Sequence, residues 1–132
     1  MKFTKFYLIG FGILSMVFGL AYLLVPVAMS APAGFGDLSA SATTDIRATY
    51  GGFQIGLAGY LLWAARAEKR FHAGVLLIAL SIGSVLASRV FGLIFDGVLN
   101  DFHLSGLIVE VSLTVSAVYF LRRLSREPAP SE

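Results

Sequence analysis

The chain has 132 residues, of which 57% are hydrophobic and 14% charged, with a formal net charge of +2. A soluble domain this small cannot bury so much apolar surface and normally carries about a quarter charged residues, so the apolar solvent must be a bilayer. The absence of cysteine excludes disulfides, thiolate nucleophiles and Cys-ligated metal centres, and the basic residues sit at segment ends rather than in a stripe, which argues against nucleic acid.

The first apolar stretch covers about residues 6–29, behind Lys2 and Lys5, with Pro26 ending or bending it. Its basic start and the small residues Ala28-Met29-Ser30-Ala31 imitate a signal peptide. The apolar run over residues 6–25 is longer than a signal core of roughly 7–15 residues, so it reads as an uncleaved anchor. Residues 30–44 are small and turn-forming, and Thr43 or Thr44 is the expected N-cap of a second span over about 45–65. That span is the least apolar, carrying Arg47, Thr49, Tyr50 and Gln54. The charged connection 66–70 turns the chain into a third span at about 71–95, and residues 97–103, around Asn100-Asp101, form the next turn. A fourth span covers about 104–121. The expected fold is all-α: a four-transmembrane-helix bundle over residues 1–121, followed by a disordered cytoplasmic tail at 122–132.

Eight of the ten basic residues fall on one side of these spans: Lys2, Lys5, Arg66, Lys69, Arg70, Arg122, Arg123 and Arg126. The positive-inside rule then places both termini and the central connection in the cytoplasm. Helices in lipid associate through small residues rather than hydrophobic force. Ala48, Gly52 and Gly56 in the second span, and Ser84, Ser88 and Gly92 in the third, are spaced for such a seam, within one subunit or in a homo-oligomer.

The chemistry lies in the polar residues inside the spans. Counting about 1.5 Å per residue from the cytoplasmic ends puts Gln54 and Glu110 about 17–18 Å up, Arg89 about 24 Å, Arg47 about 27 Å and Asp96 about 34 Å. Arg47 and Gln54 are seven apart and share a helix face, as do Arg89 and Asp96. Depth and sign therefore predict that Glu110 meets Arg89, and that Asp96 or Asp45 meets Arg47, since an isolated charge in hydrocarbon is costly. Tyr50, one turn from Arg47, would donate to Glu110 or Asp96, or cap the pocket. This cluster has three readings: a structural lock without ligand, an outward-opening pocket for a small hydrophobic molecule, lipid headgroup or quinone, or a route for protons or ions. His103 reads as a solvated turn residue and His72 as interfacial. No catalytic constellation, metal-ligand set or phosphate loop is present in the pattern.

The run Thr43-Thr-Asp-Ile-Arg-Ala-Thr-Tyr-Gly-Gly-Phe-Gln-Ile-Gly56, with Ser88-Arg89, Gly92-Leu93, Asp96-Gly97 and Glu110, resembles the DUF4345 family of small four-helix bacterial membrane proteins. The likeness covers residues 12–120 and implies a helical membrane domain without an assigned reaction. Such proteins are more distantly similar to DoxX-like membrane proteins, which implies a quinone-linked redox accessory as an alternative to a non-enzymatic ligand- or lipid-binding protein or membrane-complex subunit. A label tying some branches to bacteriophage infection implies a third role, with the outer loop meeting an extracellular partner as a phage host factor.

Overall fold

The structure, a computed structural model, describes residues 1–126. It is helical, with no strand among the described residues, and divides into two compact units, Met1–Glu68 and a second from Lys69 onward. Three helices are long and apolar enough to cross a membrane: Lys2–Leu24, Glu68–Asp96 and Asp101–Leu124.

In the first unit, α1 (Lys2–Leu24) ends because Pro26 forces the preceding residue out of helical geometry; Val25 has φ −128° and ψ 54°. The same proline opens the short α2 (Pro26–Ser30), where its missing N–H costs nothing, and Ser30 Oγ donates to the Pro26 carbonyl at 2.7 Å. A 3-10 turn, Ala31–Ala33, follows. The expected loop over residues 30–44 is thus largely helical, and irregular backbone is confined to residues 34–39.

The next helix begins earlier than expected. Ser39, not Thr43 or Thr44, is the N-cap of α3 (Ala40–Ile46), its hydroxyl accepting from the Ala42 N–H at 3.2 Å. The two threonines behave as helix-interior residues, donating to the carbonyls of Ser39 and Ala40. The chain continues without a break through a π-helical segment, Arg47–Gly52, into α4 (Phe53–Ala64). Two consecutive glycines weaken the α-helical preference there, and Thr49 Oγ1 bonds back to the Asp45 carbonyl, a pattern that bends helices.

The buried residues of α1 are Thr4, Leu8, Phe11, Gly12, Ser15, Gly19 and Tyr22, a single stripe at helical spacing. This stripe lies against α4 and the π-helical segment. At Gly19 and Gly51 the two backbones nearly touch: a Cβ on Gly19 would sit 2.9 Å from the Gly51 carbonyl oxygen, and one on Gly51 3.1 Å from the Leu23 nitrogen. Lower down, a Cβ on Gly12 would press on Leu62 at 3.0 Å. The seam therefore runs through Gly12, Gly19 and Gly51. Gly52 and Gly56 are exposed, and a Cβ on either would meet no other element.

In the second unit, α5 (Phe71–Asp96) follows a 3-10 turn at Glu68–Arg70 and stops at Gly97, whose φ of 67° suits glycine and whose N–H donates to the Leu93 carbonyl. Asn100 caps α6 (Asp101–Leu124), its side-chain oxygen accepting from the His103 N–H at 3.0 Å. The expected turn at 97–103 thus shrinks to 97–100, and His103 lies inside the first helical turn. α5 packs on α6 in antiparallel fashion: Arg89 meets Gly106, and Gly83 faces Thr114. Ser84 and Ser88 are exposed, and a Cβ on Gly92 would meet Asp96 of its own helix at 3.6 Å. Helix α6 carries on to Leu124, past the expected boundary at 121, and residues 127–132 of the expected tail lie outside the described residues.

Candidate functional site

Arg89 projects from α5, one to two turns before its end, and Glu110 from α6. The two form an ion pair with Nη2 to Oε1 at 2.6 Å, while Nε donates to Oε1 and Oε2 at 2.9 and 2.8 Å. The guanidinium thus presents its Nε–Nη2 edge to the carboxylate, as bidentate pairs do. Its side chain is 20% exposed and that of Glu110 10%.

The other side of the guanidinium is also engaged. Nη1 lies 3.0 Å from Nδ1 of His103, and Cζ lies 5.9 Å from the centre of the Phe102 ring. An arginine only donates, so Nδ1 must accept and the ring proton resides on Nε2. His103, Gly106 and Glu110 occupy one face of α6 at i, i+3 and i+7. Gly106 makes the geometry feasible: a Cβ there would sit 2.9 Å from Arg89 Cζ and 3.1 Å from Nε and Nη2. The guanidinium therefore lies flat across the α6 backbone. One turn beyond Glu110, Thr114 Oγ1 is buried without a hydrogen-bond partner among the described residues.

The remaining residues of the expected cluster have other neighbours within their own units. Arg47 is exposed and does not meet Asp45; its Nε donates to the Leu23 carbonyl at 3.1 Å. That carbonyl belongs to the last turn of α1, where carbonyls lose their helical partners and the helix dipole favours a cation. Tyr50 stacks on Tyr22 with ring centres 5.2 Å apart; Tyr22 in turn packs on Phe18 and donates to the Met29 carbonyl. Gln54 is half-buried beside Gly19, and Asp45 and Asp96 are exposed. The first unit therefore holds Asp45, Arg47, Tyr50 and Gln54 with separate neighbours, and the second holds a compact group of Arg89, Glu110 and His103.

Sequence reasoning placed His103 in a solvated turn and did not single out Gly106. The signal was present: Asn100 is a strong N-cap, which starts the helix before His103, and a small residue four positions before a buried acid leaves room for a partner's head group.

The family model for DUF4345, a domain of unknown function, matches residues 3–121. The chain belongs to the DUF4345 family. No match was found among curated proteins or among solved structures. The matched range contains α1 but for its first residue, α2 through α5 and nearly all of α6, so the Arg89–Glu110–His103 group lies within the DUF4345 domain.

Proposed function

We propose that this DUF4345 protein is a four-helix integral protein of the bacterial inner membrane, both termini cytoplasmic, that binds a small lipophilic molecule or lipid at Arg89, Glu110 and His103 without catalysing a reaction. The fourth span is the continuous helix from Ala40 to Ala64, about 35 Å long even with its π-helical turns, enough for a hydrocarbon core of roughly 30 Å. The one-sided distribution of lysine and arginine supports the orientation.

The observation that carries the binding role is a charged pair extended by a half-buried imidazole, set between two predominantly apolar helices. A buried ion pair rarely stabilises a protein more than apolar residues of the same volume, so packing alone gives little reason for it. Ionisable groups within membrane helices are expensive and generally mark functional sites. Thr114, an orphaned hydroxyl on the same face, adds a polar atom that a bound molecule would satisfy.

Native mass spectrometry of the protein released from mild detergent tests this reading. The expected result is a retained small molecule on the wild-type protein that is lost from the double variant Arg89→Leu/Glu110→Leu, in which neither charge is left unpaired. A bare wild-type protein, or a ligand held equally by the double variant, overturns it.

A further inference from the structure

The hydrogen bonds within the group leave a specific set of donors uncommitted. Glu110 takes Nε–H and one N–H of Nη2, and His103 Nδ1 takes one N–H of Nη1. An N–H remains on each of Nη1 and Nη2. The His103 ring N–H, fixed on Nε2 by the contact at Nδ1, has no partner among the described residues and is not buried. The edge beyond the ion pair is therefore made of donors.

Its charge is equally informative. Glu110 neutralises Arg89, and His103 is neutral because Nδ1 carries the lone pair that accepts. A row of donors with no net charge suits a neutral oxygen acceptor. A phosphate or carboxylate would have to shed its water and then lie near Glu110, with no cation left uncompensated to offset the cost. Phe102, whose ring flanks the guanidinium, contributes an apolar surface.

We propose that the Glu110–Arg89–His103 relay binds a neutral lipophilic carbonyl compound, whose oxygen accepts from His103 Nε2–H while Arg89 and Glu110 hold the imidazole in its donating tautomer. This rests on the binding role proposed above and adds the chemistry of the ligand.

The test uses the whole protein in detergent micelles and an alkyl-substituted benzophenone, whose ketone is both the acceptor and a photo-crosslinker. Labelling should saturate. His103→Gln should keep half-saturation within about threefold, because a glutamine oxygen can accept from Arg89 while its N–H donates. His103→Phe, which keeps a ring and removes both nitrogens, should raise half-saturation about tenfold, as expected for one lost hydrogen bond. A competition on the wild-type protein needs no variant: 2-dodecanone should displace the probe and dodecanoate should not. Equal half-saturation in wild type and His103→Phe, or displacement by the carboxylate in preference to the ketone, overturns the proposal. Labelling that ignores His103 in a protein that retains a ligand by native mass spectrometry overturns only this inference. A bare protein that takes no label overturns the binding role as well.

Discussion

The two helix pairs solve one problem by different means. In lipid there is no hydrophobic force to bring helices together, so association relies on close packing or on polar contacts. The first pair uses approach: a stripe from Thr4 to Tyr22 is buried along α1, and at Gly19 and Gly51 the backbones meet. The second uses charge. A third of the apolar span of α1 is buried (33%), against 6% for the helix ending at Asp96 and 11% for α6, so the second pair has less packing to offset a charge left unmatched between its helices. Dispersion spread over many atoms degrades gradually when one contact is lost. A single charged pair fails all at once.

The largest expected effects therefore come from halving that pair. Arg89→Leu or Glu110→Leu leaves one charge stranded among apolar side chains, and each should cost roughly 3–5 kcal/mol. Thermal melting in detergent would show it, and the double variant should regain most of the loss. If the two single losses simply add in the double variant, the pair is not a unit and the contrast between the helix pairs collapses.

Next come the glycines that allow each contact. Gly106→Ala drives a methyl group into the Arg89 guanidinium and should cost about 1–3 kcal/mol, but only while Arg89 and Glu110 are present. Repeating the melt in the Arg89→Leu/Glu110→Leu background should abolish the effect. In the first pair, Gly19→Ala or Gly51→Ala should destabilise by a similar amount whatever happens at the ion pair, since the obstacle is backbone. Gly52→Ala and Gly56→Ala should be neutral, or stabilising by up to about 1 kcal/mol through helix propensity. A larger loss at Gly52 than at Gly51 would mean that the seam follows the regular helical spacing after all.

That last comparison shows where sequence reading worked and where it stopped. Arg89 could be matched to Glu110 by counting rise along each helix, because α5 and α6 are regular over those residues. The same counting does not find the close approach within the first pair. A spacing of four residues holds a face only while the helix is α, and the π-helical turns at Arg47–Gly52 change the rotation per residue, so the close contact falls on Gly51 and not Gly52. Gly12, Ser15 and Gly19, by contrast, form a legible small-residue stripe on α1. His103 was missed through a boundary error of three residues at a helix start, which is where such readings are least secure.

The two arginines sharpen the comparison at the smallest scale. Both look alike in the sequence: a cation in a span, with carboxylates within reach by depth. Charge matching finds the partner of Arg89, since that partner is a carboxylate. It cannot find the partner of Arg47, which is a backbone carbonyl left without a helical donor at the end of α1, close to where Pro26 interrupts the chain. Arg47 is exposed, and its loss strands no buried counter-charge. Arg47→Gln should therefore lower stability by about 1 kcal/mol or less, the value of one hydrogen bond, against several for Arg89. Melting the two variants side by side, with Arg89→Gln, measures the difference directly. Equal losses would mean that Arg47 also balances a buried charge, and the first pair would then depend on electrostatics as much as the second.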